Sequence, residues 1–293
     1  MSSLSSLAVV VLCAALVNGQ TSTTAVPTTV TARFRASMIR PETEFLAPVG
    51  GSFAHCSASV LAPSSSTPTN ANAVRPADIK YIASLGDSIT VGFLSYTDAS
   101  EWGSSDRNYF GNNWATGGDG SLSNKITIAN IVKDLNPSVT GYSTGKIENE
   151  TYTNLNMAQG MWHNDYSMRA YEVIYPENTL GCQDGNYNVT GEAFEALSNE
   201  ALHELETDSS LAAIDKAIVV QDIFKNMVQP LKKADDSWHY NFYSTDVFHI
   251  SNFGQSLIAK AAWNQMMQPV GSKSTTEAQF RNDGNPPLAC PDA

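Results

Sequence analysis

The chain has 293 residues, a hydrophobic content of 42% and a formal net charge of −12. That length is enough for one large α/β domain with a sizeable core, and the hydrophobic content is ordinary for a globular protein. The negative charge argues against a nucleic-acid partner and against electrostatic docking on anionic lipid; its plain reading is solubility.

Leu7 to Val17 form an apolar run of the length of a leader's hydrophobic region, and Val17-Asn18-Gly19 supplies small residues for cleavage before Gln20. The run is too short to span a bilayer as a helix. No Lys or Arg precedes it, a departure from the usual leader. Residues 1–19 are therefore expected to be a secretory signal, and the mature chain to be secreted, extracellular or luminal. Asn149-Glu150-Thr151 and Asn188-Val189-Thr190 would then be usable glycosylation sites at Asn149 and Asn188. Cys13 leaves with the leader, so Cys56, Cys182 and Cys290 remain, an odd number in an oxidising compartment. Cys56 and Cys290 flank the domain and are the candidate disulfide. Cys182 is then unpaired.

Residues 20–74 are rich in Thr, Ser, Pro and Ala, as in Thr21–Thr29 and Pro63–Thr69, and are expected to form an extended lead-in. One folded domain is expected over 75–271, with a tail over 272–293. Within the domain, Ile79–Leu85 reads as a strand. Lys125–Leu135 has a helical pattern ended by Asn136-Pro137. Leu155–Ala158 is a short strand candidate. Glu192–Glu206 places Ala193, Phe194, Leu197, Ala201, Leu202 and Leu205 on one face of an amphipathic helix. Ala217–Gln221 is a strand, and Ser251 caps a helix running to about Met267, ended by Pro269 and Gly271. Strand–helix alternation implies a parallel sheet covered on both faces, a three-layer α/β/α sandwich.

Gly86-Asp87-Ser88-Ile89-Thr90 follows the first strand directly. That places the Ser88 hydroxyl on a tight strand-to-helix turn, where a nucleophile is exposed and amides at the helix start stabilise negative charge. The plain alternative is an N-cap serine. Far downstream, Asp246-Val247-Phe248-His249 supplies a general base, His249, and an acid, Asp246, to fix its tautomer and stabilise the imidazolium. His239 is the next candidate base. Gly117-Gly118-Asp119-Gly120 has the composition of an anion-binding nest, although a plain loop is the better reading. The few histidines lack ligand spacing, so no metal and no organic cofactor is implied.

Ser88 in its pentapeptide, with the late Asp246-x-x-His249, resembles the GDSL (SGNH) lipase and esterase family. Arg75–Lys80, Tyr109–Gly120, Leu135–Gly141 and Ala261–Gly271 resemble its phospholipase B branch. The similarity runs from about Phe53 to Cys290 with one break. It implies a flavodoxin-like hydrolase fold and a triad of Ser88, His249 and Asp246. It also implies an oxyanion hole built from the Ser88 N–H, a glycine N–H after the next core strand and an Asn side chain from a Gly-x-Asn-Asp segment. Gly160, in Asn156–Gly160, matches the glycine. No Gly-x-Asn-Asp segment follows. His163-Asn164-Asp165 echoes it only three residues past Gly160, where the family starts a helix, so Asn164 is disfavoured as a donor. The resemblance stops after about Ala170 and resumes near Tyr175. The chain is therefore expected to lack one central strand–helix unit, and the unpaired Cys182 fits the same deletion.

The resulting expectation is a secreted, monomeric serine ester hydrolase of the phospholipase B or lysophospholipase kind. It would act on a lipid ester substrate through an acyl-enzyme, in transient contact with a membrane or micelle surface. Two rivals stand beside it. One is a truncated or inactive form that binds lipid as a pseudoenzyme. The other is a secreted carbohydrate esterase with Trp102, Trp114 and Trp162 as a sugar platform, although the plain reading of tryptophans is core.

Overall fold

The computed structural model describes residues 8–10, 47–96, 108–146, 153–158, 204, 206–208, 217–221, 223–224, 231–237, 239–244, 249–274, 276–280 and 286–291. The strand β2, Tyr81–Ala83, is preceded in sequence by β1, Ala8–Val10, and α1, Ala58–Leu61. β1 pairs with β2 in parallel, Val9 opposite Ile82. It falls within the segment expected to be removed as a leader, and a chain processed before Gln20 would bare that edge of β2.

On its other edge the serine-bearing strand meets two further stretches, both parallel. Ile82 N–H donates to Thr140 O at 3.0 Å and Thr140 N–H to Lys80 O at 2.9 Å; one step on, Ser84 N–H donates to Leu155 O and Met157 N–H to Ser84 O. Of the short strand expected at Leu155–Ala158, an isolated parallel bridge forms between Asn156 and Ser84, beside the end of β2. Side chains alternate across such a ladder. Ile82, Ser84 and Asn156 point inward and are buried. Tyr81, Leu85, Leu155 and Met157 point the other way, and Leu85 and Met157 are 56% and 68% exposed.

The chain between β2 and Thr140 carries α2, Ser88–Val91, and α3, Ile128–Leu135. Thr127 caps α3 by accepting from Asn130 N–H at 2.9 Å, and the helix buries Ile128, Ala129, Ile131 and Val132. Helix α4, Asn252–Met266, begins at Ser251, whose Oγ accepts from Gly254 N–H at 3.0 Å. It is buried from Asn252 to Gln265 on all sides, not only along the apolar face of Leu257, Ile258, Ala261 and Ala262. Gly254 is required there, since a Cβ would sit 2.2 Å from Phe242 O. Among the described residues no helix is long and apolar enough to cross a membrane.

Three stretches differ from expectation. Packing starts well before residue 75: Phe53 is buried in the core, and Val49 O accepts from Ile126 N–H at 2.7 Å. The expected tail also packs. Phe280 and Leu288 are buried, Trp263 Nε1 donates to Ala289 O at 2.9 Å, and Cys56 and Cys290 form a disulfide with Cα atoms 5.6 Å apart. Low-complexity composition hid these isolated apolar anchors. Residues 217–221 carry no strand; Val220 N–H donates to the Glu206 carboxylate at 3.1 Å instead. A β-branched run becomes a strand only against a neighbouring ladder. Most of the helix expected at Glu192–Glu206 lies outside the described residues.

Candidate active site

The site begins where β2 ends. Gly86 permits the turn, because a Cβ there would lie 2.3 Å from Thr90 Oγ1. Asp87 is extended and caps α2, its Oδ1 accepting from Ile89 N–H at 2.9 Å. Ser88 is the first helical residue. Gly92 closes the single turn in the left-handed conformation at φ 76°, its N–H donating to Ile89 O at 3.1 Å. Burial raises the Asp87 carboxyl above its usual range, against the backbone N–H groups of Ile89 and Thr90 and the nearby His249 that favour its charged form.

His249 reaches this turn from a folded-back segment. Tyr243 and Ile250 form an antiparallel bridge, and Ser244 N–H donates to His249 O at 2.7 Å. Ser244 Oγ donates to Leu94 O at 2.6 Å, which fastens the segment to the chain just after α2. The Phe93 ring meets the imidazole edge-on, with centroids 4.7 Å apart. The outcome is a Ser88 Oγ to His249 Nε2 separation of 3.0 Å, with both residues 9% exposed. With the ring proton on Nδ1, the serine hydroxyl donates to Nε2. That is the geometry in which an imidazole removes the proton as the oxygen attacks.

Ser88 and His249 are the predicted site residues that the described structure brings together. Asp246, Gly160, Asn164, Asn149, Asn188, Cys182, Trp102 and Trp162 lie outside the described residues. Trp114 is buried in the core, not displayed as a platform. His239 does not join the site. Its ring packs on Phe253 with centroids 5.2 Å apart, and its Nδ1 is buried without a hydrogen-bond partner among the described residues. Burial, with Lys233 adding to it, lowers its pKa to about 4.

The glycine segment 117–120 is a structural loop. The N–H groups of Gly117, Gly118 and Asp119 donate to Asn113 O, Ser143 O and Gly111 O, so they are spent within the fold. Lys133 Nζ donates to the carbonyls of Gly118 and Gly120, and Asn130 Nδ2 to that of Asp119. Among the described residues, His55, Cys56 and Cys290 are the group whose donor atoms cluster closely enough for a metal, and its two sulfurs are joined in the disulfide. A cleft of about 440 Å³ opens beside Ala77, Asp78 and Lys80, at the end of β2 opposite Ser88.

Sequence reasoning did not find two buried carboxamides beside the nucleophile turn. Gln255 Nε2 donates to Ile89 O at 3.1 Å, and Asn156 Nδ2 to Thr90 O at 3.0 Å. Gln255 sits in no recognisable motif, and Asn156 opens the segment matched only for its Gly160, so only the folded chain reveals their contacts with the turn.

The chain is 27% identical over 303 residues to a membrane-associated phospholipase B1 of Rattus norvegicus, covering 73% of this chain and 21% of that protein. It is 26% identical over 304 residues to the protein of that name in Homo sapiens, and 26% identical over 323 residues to that of Mus musculus, covering 73% and 78% of this chain. The chain spans about a fifth of the length of these relatives. No protein-family model matches it. No solved structure matches it either.

Proposed function

We propose that this chain is a secreted serine ester hydrolase of the GDSL type that acts on lipid acyl esters, as a phospholipase B or lysophospholipase does. The observation that carries the reading is the 3.0 Å contact of Ser88 Oγ with His249 Nε2 at the end of a parallel strand. Ser88 attacks the acyl carbonyl while His249 takes its proton. The oxyanion that develops is held by the Ser88 N–H and by donors from the Gly160 segment. His249 returns the proton to the leaving alcohol, and the acyl group stays on Ser88 as an ester. Water, deprotonated by His249, then releases the fatty acid. Asp246 keeps the imidazole in the reactive tautomer. The likeness to phospholipase B1 supports a lipid ester over other acyl substrates. The burial of Trp114 removes one wall of the sugar platform that a carbohydrate esterase would use.

The same reading takes the fold to be the α/β/α sandwich short of one central strand–helix unit. Two observations support it. One face of the parallel ladder is left with Tyr81, Leu85, Leu155 and Met157 exposed. The match to the rat relative runs over 303 residues yet takes up only 73% of a 293-residue chain, so the relative carries extra residues inside the matched span. Export to an oxidising compartment fits the Cys56–Cys290 disulfide.

The test is a fluorophosphonate probe. The folded chain should be labelled, and Ser88→Ala should abolish labelling. Labelling at another serine overturns the assignment.

A further inference from the structure

We infer that Gln255 and Asn156 are positioning residues that set the register of the nucleophile turn against the base-bearing segment. The inference rests on the hydrolase reading above for its activity readout. The physical need comes from the length of α2. A helix of one turn has only terminal carbonyls and no propagation to stabilise it. Phe93 and Gly92 N–H groups serve the carbonyls of Ser88 and Ile89 from within the chain. Two side chains in distant elements add to this, one giving Ile89 O a second donor and the other serving Thr90 O. Gln255 Nε2 reaches Ile89 O across 166 residues of sequence, and Asn156 Nδ2 reaches Thr90 O across 66.

Each carboxamide is anchored at its other end. Gln255 Oε1 accepts from Trp114 N–H at 2.9 Å, and Asn156 Oδ1 accepts from Ala158 N–H at 3.0 Å. Both polar ends are therefore used, and neither amide can rotate without leaving a buried donor or acceptor unpaired. Gln255 lies in the first turn of α4, its own N–H bonded to Ser251 O, and His249 sits two residues before that cap. The Gln255 side chain thus links the element that carries the base directly to the element that carries the nucleophile. Asn156 holds the same turn from the segment that bridges to Ser84 and runs on in sequence to Gly160. A rigid link is what a 3.0 Å serine–histidine contact needs, since a misplacement of about 1 Å costs on the order of 10²-fold in rate.

The experiment compares Gln255→Met, Asn156→Leu and the control Asn264→Leu in the full chain. Asn264 is a buried carboxamide on the same helix whose bonds go to Pro287 O and Ala289 N–H, away from the turn. Two quantities are read: the fluorophosphonate labelling rate per folded molecule, and amide hydrogen exchange at Ile89–Phe93 against that of α3. Gln255→Met and Asn156→Leu should each slow labelling by about 10²-fold and speed exchange at Ile89–Phe93 while α3 stays protected. Asn264→Leu should lower the unfolding midpoint yet label at the parent rate. If Gln255→Met and Asn156→Leu behave like the control, the inference is overturned. Should Gln255→Met fail to fold, Asn156→Leu carries the same comparison. If the parent chain takes no label at all, the hydrolase reading fails, and exchange alone decides: unchanged protection at Ile89–Phe93 in the variants sinks the positioning role as well.

Discussion

Ser88 Oγ and His249 Nε2 stand 3.0 Å apart although 161 residues separate them in the chain. Nothing local brings them together. The contact depends on Ser244 bonding to Leu94 O, on Phe93 meeting the imidazole edge, and on Gln255 bonding to Ile89 O. Each of these joins the segment around His249 to the turn that starts at Ser88.

The first prediction concerns the base. His249→Ala should lower turnover of a short-chain acyl ester by at least about 10³-fold, the scale of a lost general base. Asp246→Asn should lower it by roughly 10⁴-fold, because the amide favours the wrong tautomer. His239→Ala should leave the chemistry intact in whatever fraction stays folded. Retained turnover in His249→Ala would move the base elsewhere.

The residues that were legible beforehand are those whose chemistry needs a fixed local pattern. A strand, a glycine turn and a serine are contiguous, so Ser88 could be read from one pentapeptide. Ser251 was likewise readable as a cap because a cap acts on the next turn. Residues that act across the fold left no local trace. Gln255 lies in a helix with no strong polar face, since all of its sides are buried. Phe53 and Phe280 are single apolar residues in polar surroundings, so composition placed them in a lead-in and a tail. Their partners, Trp263 and Phe242, lie far away in sequence. Residues 217–221 have strand composition without a neighbour, and composition cannot say whether the neighbour exists.

Gly86→Ala tests the turn itself. The added Cβ meets Thr90 Oγ1 at 2.3 Å and Thr90 Cβ at 2.8 Å. Overpacking of this kind costs roughly 1–3 kcal/mol, and the shift falls directly on Ser88. Chemical denaturation should show that loss, and probe labelling should slow beyond it. Combining Gly86→Ala with Thr90→Ala should recover part of the stability, because the closest atom, Thr90 Oγ1, is gone while the contact with the Cβ at 2.8 Å remains. Strict additivity of the two changes would show that the clash is not the cause.

The disulfide closes a span of 234 residues between Cys56 and Cys290. On a chain-entropy account a loop of that size contributes up to about 5 kcal/mol. Reductant should lower the urea midpoint of the parent chain. Cys290→Ser should show the low midpoint already and should not respond to reductant. A midpoint that ignores reductant in the parent would remove the cross-link from the stability of this fold.

Acid should destabilise the protein through His239. Its folded pKa is lowered from 6.5 to about 4, so the unfolded chain takes up a proton that the buried ring refuses. Stability from this group is complete above about pH 6.5 and is lost as pH falls toward 4. The full shift is worth roughly 3 kcal/mol by linkage. His239→Phe keeps the packing on Phe253 and removes the titration. Denaturation at pH 7, 6, 5 and 4 should give a clearly shallower decline for that variant. Parallel curves for the two proteins would assign the acid sensitivity to other groups.

The last prediction addresses the strand–helix unit that the proposed reading takes this chain to lack. On the proposed reading the chain keeps its nucleophile and base but lacks one arm of the oxyanion hole. Losing a single such donor costs about 10²–10³ in kcat. The parallel ladder also keeps one face open, with Leu85 and Met157 largely exposed beside the turn that carries Ser88. Uncovered apolar surface next to the site weakens the scaffold that holds the nucleophile. The parent chain should therefore label slowly, turn over slowly and unfold at a low midpoint. Inserting a strand–helix unit that carries a Gly-x-Asn-Asp segment after residue 170 should raise rate and midpoint together. Within the present chain the nearest substitute is Asn164, only four residues past Gly160. If Asn164→Ala lowers turnover by about 10²-fold, as loss of a true donor should, while the midpoint stays put, then Asn164 already supplies the third arm. The hole is then complete and the deficit does not exist.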